Sequence, residues 1–398
     1  LCKKFPYPQK DGESIAVNSL AKSLTKQGCE ITLLAMNTSK HFFEAKQWPA
    51  GLDYYHGIHA VPVDNRIKIR DAFVNLFSSE SYHIARFVSP AFRRKLITLL
   101  QSDVYDVVQL ETLYLAPYIP VIRKYSNAIV VMRAHNVEHE IWNRIAQNTS
   151  SWPKRWYLDH LTKKLRNYET AQLHNYDLLL PITRKDLEAF QRMGYQKKAM
   201  VTPIGINFEE YRPQYESFHQ DLTISFIGSL DWMPNQEGLL WFLDKIWGGL
   251  SRKFPQLKLH VAGRNMPDWI CSKKVRNVFF HGEVPDAAEF INRHSIMVVP
   301  LLSGSGMRAK ILEGMALGKV VVTTRLGLEG IDARHQKEVM VANNAKEFMQ
   351  VFDFCFQLNG ELESMGRDAQ RFVTEHYDPA DIARRLAETY ASMMVEAI

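Results

Sequence analysis

The chain has 398 residues, 46% hydrophobic, 11% aromatic and 23% charged, with a formal net charge of +6. This length exceeds one hydrophobic core and predicts two domains, while the composition excludes a disordered or collagenous chain. No apolar run approaches the ~20 residues needed to span a bilayer, and Cys2, Cys29, Cys271 and Cys355 form no C-x-x-C pair, which argues against a zinc ribbon and for a reduced cytoplasm.

In chain order, Leu1-Cys2-Lys3-Lys4 reads as the end of a strand. Short β-branched runs then alternate with longer helical patterns, the sequence form of a parallel sheet covered by helices. The first half predicts strands at 30–35, 58–63, 104–110, 128–132 and 178–182. A helix at 13–27 is expected to bury Ile15, Leu20 and Leu24 as one stripe. The second half predicts strands at 222–227, 257–262, 278–281, 296–300 and 320–323, with helices at 235–250, 287–293, 307–317 and 345–358. A boundary is expected near 200–220. It gives domains 1–202 and 203–379, with a last helix at about 380–398 returning to the first. Residues 1–200 hold 28 Lys+Arg against 18 Asp+Glu, and residues 201–398 hold 21 against 25. The basic half predicts either an anionic partner or scattered solvated lysines.

The most informative stretch runs from Pro300 to Gly318. A buried strand enters a turn of Gly304, Ser305 and Gly306, and Met307, Arg308, Ala309 and Lys310 open a helix. Such a turn aims backbone N–H groups and the positive end of the helix dipole at one point, which suits an anion. Arg308 and Lys310 would oppose that dipole unless a diphosphate lies there. The plain alternative pairs Lys310 with Glu313 one turn on.

Other segments stand in a telling order. They are Asp11-Gly12-Glu13, Arg133-Ala134-His135-Asn136-Val137-Glu138-His139, and Pro203 to Asn207 with Tyr211 and Pro213. Then come Phe226-Ile227-Gly228-Ser229-Leu230-Asp231-Trp232-Met233-Pro234-Asn235, Ala262-Gly263-Arg264, His281-Gly282-Glu283-Val284, and Glu313 to Gly318. Over nearly the whole length this order resembles the retaining glycosyltransferases of family 4. The resemblance implies an α/β fold of GT-B type, with two Rossmann-like domains facing a central cleft. Residues 1–202 would bind acceptor and 203–379 a nucleotide-sugar. Gly12 would lie near donor phosphate and acceptor, and His135 would touch the transferred sugar. Gly228, Ser229 and Asn235 would meet the donor phosphates, Gly263, Arg264 and Val284 the base, and Glu313 the ribose. Gly304, Ser305, Gly306 and Met307, with Arg308 and Lys310, would hold the diphosphate.

Two departures stand out. Ser305 occupies the place of a family glutamate that holds the donor sugar, and the loop after Gly228 lacks the family's phosphate-binding Arg and Lys. Arg308 and Lys310 would supply that charge. No D-x-D pair occurs, so neither metal nor cofactor is expected. The implied reaction is hexosyl transfer in polysaccharide biosynthesis. The donor would be a UDP-sugar rather than a GDP-sugar, and the acceptor a glycan or lipid-linked molecule. The expected location is the cytoplasm, peripherally at the inner face of the membrane.

Three further patterns compete. His135, Glu138 and His139 satisfy H-x-x-E-H, a zinc-hydrolase spacing, though it names no third ligand. Gly304-x-Gly306-x-x-Ala309 with Glu329 imitates the dinucleotide fingerprint of an NAD(P)-dependent oxidoreductase. The segment 66–96 interleaves Phe73, Phe77, Tyr82, Phe87 and Phe92 with seven Arg and Lys residues. It suits either an anionic membrane surface or two ordinary helices with aromatic faces in the core. No nucleic-acid-binding module is present in the sequence.

Overall fold

All strand pairs described in the computed structural model are parallel. The structure describes residues 1–8, 12–39, 42–44, 48–49, 51–66, 75, 78, 80–304, 306–358 and 360–396. The chain divides into two compact units, Leu1–Gly205 with Pro379–Ile398, and Ile206–Asp378.

The first unit holds β1 (Thr32–Thr38), β2 (Gly57–Val63), β3 (Val107–Leu110), β4 (Ile129–Ala134), β5 (Leu178–Pro181) and β6 (Lys198–Ala199). β1 pairs with β2, and the others form a sheet in the order β3-β4-β5-β6. β4 and β5 are buried along their whole length, as parallel strands covered on both faces must be. That burial is why they read as unbroken apolar runs. The expected stripe on the first helix is corrected. Helix Gly12–Thr25 buries Val17, Leu20, Ala21 and Leu24, while Ile15 is 38% exposed. The face is set by the last helix, Pro379–Glu396, whose Ile382, Ala383, Leu386 and Tyr390 pack with Leu20, Leu24, Val131 and Leu180. The C-terminal helix thus returns to the first unit, as expected.

The second unit holds β7 (Thr223–Ile227), β8 (Lys258–Ala262), β9 (Val278–Gly282), β10 (Ile296–Val299), β11 (Val320–Thr323) and β12 (Met340–Val341). Their order is β12-β11-β10-β7-β8-β9. The chain therefore winds outward from β7 on one side, then returns to lay β10 against its other side. The reversal between β7 and β10 opens a crevice beyond their carboxyl ends, where ligands bind in such sheets. The single helix expected over 235–250 is instead helix Met233–Phe242, a wide turn Leu243–Trp247 and helix Gly248–Lys253. The wide turn keeps Ile246 and Trp247 in the core, with Trp247 Nε1 donating to the Arg276 carbonyl at 2.8 Å.

Three histidines stack on this sheet. His260 and His281 share a 2.9 Å hydrogen bond, the His260 and His294 rings lie 4.5 Å apart, and His294 Nδ1 meets the Thr223 hydroxyl at 2.8 Å. Burial pushes His260 down to about 4, aided by His281 and Lys258, and His294 down to about 3, aided by His260, His281, Lys319 and Arg293. His281 is lowered by burial and Arg293. Between the ordinary value of about 6.5 and these depressed values, the unfolded chain binds more protons than the folded one. Stability is then lost as pH falls through that window. Urea midpoints should drop from pH 6.5 to 4.5, and His294→Gln should flatten that slope. A variant with the wild-type slope would assign the acid sensitivity to other groups.

Candidate active site

The crevice is bounded by the loops after β7 and β10, with the loop after β8 beside them, and three glycines let these segments close up. A Cβ at Gly263 would overlap the carbonyl oxygen of Gly228, and one at Gly228 would lie 2.7 Å from the Asn235 amide nitrogen and 2.9 Å from Lys310 Nζ. A Cβ at Gly238 would overlap the Pro300 carbonyl, so helix Met233–Phe242 lies directly on the chain leaving β10. Gly263→Ala should therefore cost the second unit ~1–3 kcal/mol or more and weaken any anion binding at Gly228. Urea unfolding and calorimetry would show it, and a wild-type result in both would mean the loops can part without consequence.

Helix Ala309–Ala316 follows the turn and buries Ile311, Leu312, Met315 and Ala316. Its start corrects the expected 307–317, because Arg308 is the extended capping residue rather than a member of the first turn. Arg308 is buried, donates to the Gly306 carbonyl, and lies 5.8 Å from the Trp232 ring centroid. Gly304 and Gly306 both take positive φ, +107° and +82°, a conformation that glycine adopts without strain. Ser305 lies outside the described residues. Met307 packs on the apolar cluster beneath the turn.

Lys310 does not pair with Glu313. Its ammonium crosses to the β7 loop, donating to Asn235 Oδ1 at 2.6 Å and to the Ile227 carbonyl at 3.4 Å. Asn235 in turn donates to the Ser229 carbonyl at 2.8 Å, and the Ser229 hydroxyl donates to Asp231 at 2.6 Å. Burial pulls Lys310 down to about 7, Arg308 adds to this, and Glu313 opposes it. The loop after Gly228, which carries no Arg or Lys before Asn235, thus receives an ammonium from the other side of the crevice. Burial raises the Glu313 carboxyl, against a hydrogen bond from Tyr211 and the charge of Lys310. Arg264 is exposed beside Gly263, and Val284 is half-buried after β9.

In the first unit, His135 follows β4 and meets Glu111 through Nε2 at 3.0 Å. Glu111 also receives Arg133 Nη1 at 3.4 Å and the Gln109 amide, and Gln109 accepts from the Tyr390 hydroxyl. Burial raises the Glu111 carboxyl, but Arg133, His135 and Gln109 together bring it down to about 2. Glu111 belongs to no motif; its signal in the sequence is a carboxylate directly after an apolar strand. Gly12 opens its helix, and Glu13 pairs with Lys3 at 3.3 Å and Lys4 at 3.7 Å. Asp11 lies outside the described residues.

The H-x-x-E-H pattern does not converge. His135 turns to Glu111, His139 Nδ1 to Glu169 at 2.7 Å, and Glu138 accepts from Tyr114 at 2.8 Å. Glu169 also accepts the backbone N–H groups of Glu138 and His139, so it caps that helix. The dinucleotide imitation fails on topology, since its glycines follow β10, not the first strand of the unit. Within 66–96, Tyr82, Phe87 and Phe92 are buried core residues, while Phe73 and Phe77 lie outside the described residues. The described aromatics are therefore not membrane anchors. No described helix is long and apolar enough to cross a membrane.

Comparisons with known proteins bear on the family and the fold. A sequence profile described as "Glycosyltransferase Family 4" matches residues 11–210, and one described as "Glycosyl transferases group 1" matches residues 221–355. An "Uncharacterized 44.6 kDa protein in cps region" of Klebsiella pneumoniae is 23% identical over 260 residues, 62% of this chain. That match spans 65% of the relative's length. Among solved structures, sucrose-phosphate synthase from Thermosynechococcus elongatus superposes with a TM-score of 0.69 at 15% identity, over 97% of this chain and 94% of that one. Anabaena HepE, solved with UDP and with UDP-glucose, gives TM-scores of 0.68 and 0.64 at 14% identity, over 98% of both chains. These likenesses show the α/β fold of two Rossmann-like domains known as GT-B.

Proposed function

The chain belongs to glycosyltransferase family 4, and we propose that it moves a hexose from a UDP-sugar to a glycan or lipid-linked acceptor with retention of configuration. The observation that carries this reading is Lys310 Nζ beside Gly228 and Asn235, in the crevice between β7 and β10. The second unit binds the donor. Glu313 accepts from ribose hydroxyls, while Gly263, Arg264 and Val284 flank the base. UDP is preferred to GDP because HepE, of the same fold, was solved with UDP and UDP-glucose.

Departure of the diphosphate places growing negative charge against Arg308, Lys310 and the backbone of Gly304, Gly306 and Met307. Groups aimed where charge develops lower the barrier most. These side chains take the place of a divalent metal in the proposed reaction. The acceptor oxygen attacks the anomeric carbon on the face the diphosphate leaves. Its proton passes to the departing phosphate oxygen as the new glycosidic bond forms and the sugar–phosphate bond breaks. The first unit binds acceptor and contributes His135, which orients the sugar. Polysaccharide biosynthesis on the cytoplasmic side of the membrane is the proposed setting.

UDP should raise the melting temperature in the presence of a chelator, equivalent to about 2.7 kcal/mol at a hundredfold excess over its Kd. Absence of a shift with both UDP and GDP would overturn the reading.

A further inference from the structure

We infer that Glu237 is a sugar-binding residue of the donor site, its carboxylate accepting hydrogen bonds from hydroxyls of the transferred sugar. The inference rests on the donor reading above and adds a residue that no motif pointed to. Glu237 lies on helix Met233–Phe242, and its Oε2 accepts from the Ser303 hydroxyl at 2.6 Å. That contact puts an exposed carboxylate one residue before Gly304, at the mouth of the turn.

The position is enforced by packing. Gly238, the next residue, presses its helix against the Pro300 carbonyl, where any Cβ would overlap. The same helix presents Asn235 to Lys310 at 2.6 Å. One rigid element thus carries both the group that orients the phosphate-binding cation and the carboxylate near the turn.

The signs of the charges sort the ligand. Arg308 and Lys310 attract the diphosphate, whereas Glu237 would repel it. Whatever meets Glu237 must donate hydrogen bonds, and in a nucleotide-sugar the uncharged donors beyond the diphosphate are sugar hydroxyls. Ser303 uses one of roughly four acceptor sites of the carboxylate, so capacity remains for a pair of hydroxyls. Trp232 completes the arrangement, because its exposed indole lies 3.4 Å from where a Gly304 Cβ would stand. It offers an apolar face beside a polar one, as a sugar ring requires.

The test compares donor with diphosphate on the full chain by calorimetry, using UDP with UDP-glucose and UDP-N-acetylglucosamine, and GDP with GDP-mannose. For the donor that binds, Glu237→Ala should weaken affinity about 10- to 100-fold and leave the matching diphosphate within about twofold. Glu237→Gln, which keeps an acceptor, should fall between and raise KM more than it lowers kcat. Ser303→Ala should spare the ratio of donor to diphosphate affinity. If Ser303→Ala reproduces Glu237→Ala, or if donor and diphosphate weaken together, Glu237 only supports the loop and the inference falls. Unchanged donor affinity in Glu237→Ala overturns it as well. A wild-type chain that binds no nucleoside diphosphate would instead remove the donor reading, and this inference with it.

Discussion

His135→Ala should lower turnover about 100-fold, roughly 2.7 kcal/mol of transition-state stabilisation, while UDP affinity stays within twofold. The split follows from where the parts sit. The charged groups assigned to the diphosphate, Arg308 and Lys310, belong to the second unit, and His135 belongs to the first. Glu111 keeps its charge down to about pH 2, so the ring nitrogen facing it, Nε2, must carry a proton. In the proposed reaction Nδ1 is then the ring atom left to meet a sugar hydroxyl, with Glu111 holding the ring through Nε2. Removing the imidazole leaves Glu111 paired with Arg133 and Gln109, so the fold should survive and the loss should be kinetic. Equal loss of turnover and UDP affinity would make His135 a scaffold residue instead.

The ten strands expected from the sequence were legible because burial on both faces removes polar residues from a parallel strand. Val320–Thr323 and Leu178–Pro181 are buried at every position, and such runs are hard to miss. β6 and β12 span two residues each, too short for any pattern to show. The first helix forms where the sequence predicts it but buries Val17 and Ala21 in place of Ile15. Its partner is helix Pro379–Glu396, more than 350 residues away, and that pairing alone decides which side turns inward. Tyr82, Phe87 and Phe92 were ambiguous for a related reason, since core aromatics and interfacial aromatics share one composition.

Close backbone approaches in the candidate site are legible at glycines, at Gly304 from the turn itself and at Gly228 and Gly263 from the family resemblance. The site is illegible where side chains reach across sequence. Lys310 reads locally as a misplaced charge in a first turn, yet its partner is Asn235, 75 residues earlier. Glu237 and Ser303 stand 66 residues apart, and Glu111 meets His135 across 24. No spacing rule connects such pairs, because the strand order that joins them is itself a long-range product of folding.

Lys310→Met should lower turnover by about 100- to 1,000-fold and sharply weaken UDP binding, yet leave the free chain equally or more stable below pH 7. Burial, with Arg308 beside it, pulls the Lys310 ammonium down to about 7 from an ordinary value of 10.5. Below pH 7 both folded and unfolded chains hold the proton, and the folded state bears the full cost of burying the charge. Between 7 and 10.5 the unfolded chain holds more protons than the folded one. Wild-type stability should therefore rise with pH through that window. Methionine removes the charge and with it this slope, so its advantage should shrink as pH rises toward 10. Loss of the hydrogen bond to Asn235 offsets about 1 kcal/mol of the gain. A bound diphosphate reverses the balance, because an adjacent dianion favours the ammonium. UDP binding should then take up a proton, and more of one as pH rises from 7 toward 8.5. Calorimetry in two buffers of different ionisation enthalpy reads this directly, and UDP affinity should fall as pH rises above 7. Met at position 310 should abolish both the uptake and the pH dependence that Lys310 causes. If wild-type binding takes up no proton and Lys310→Met loses free-state stability while binding UDP normally, Lys310 is only a strut between the loops after β7 and β10. The diphosphate would then have to be held elsewhere.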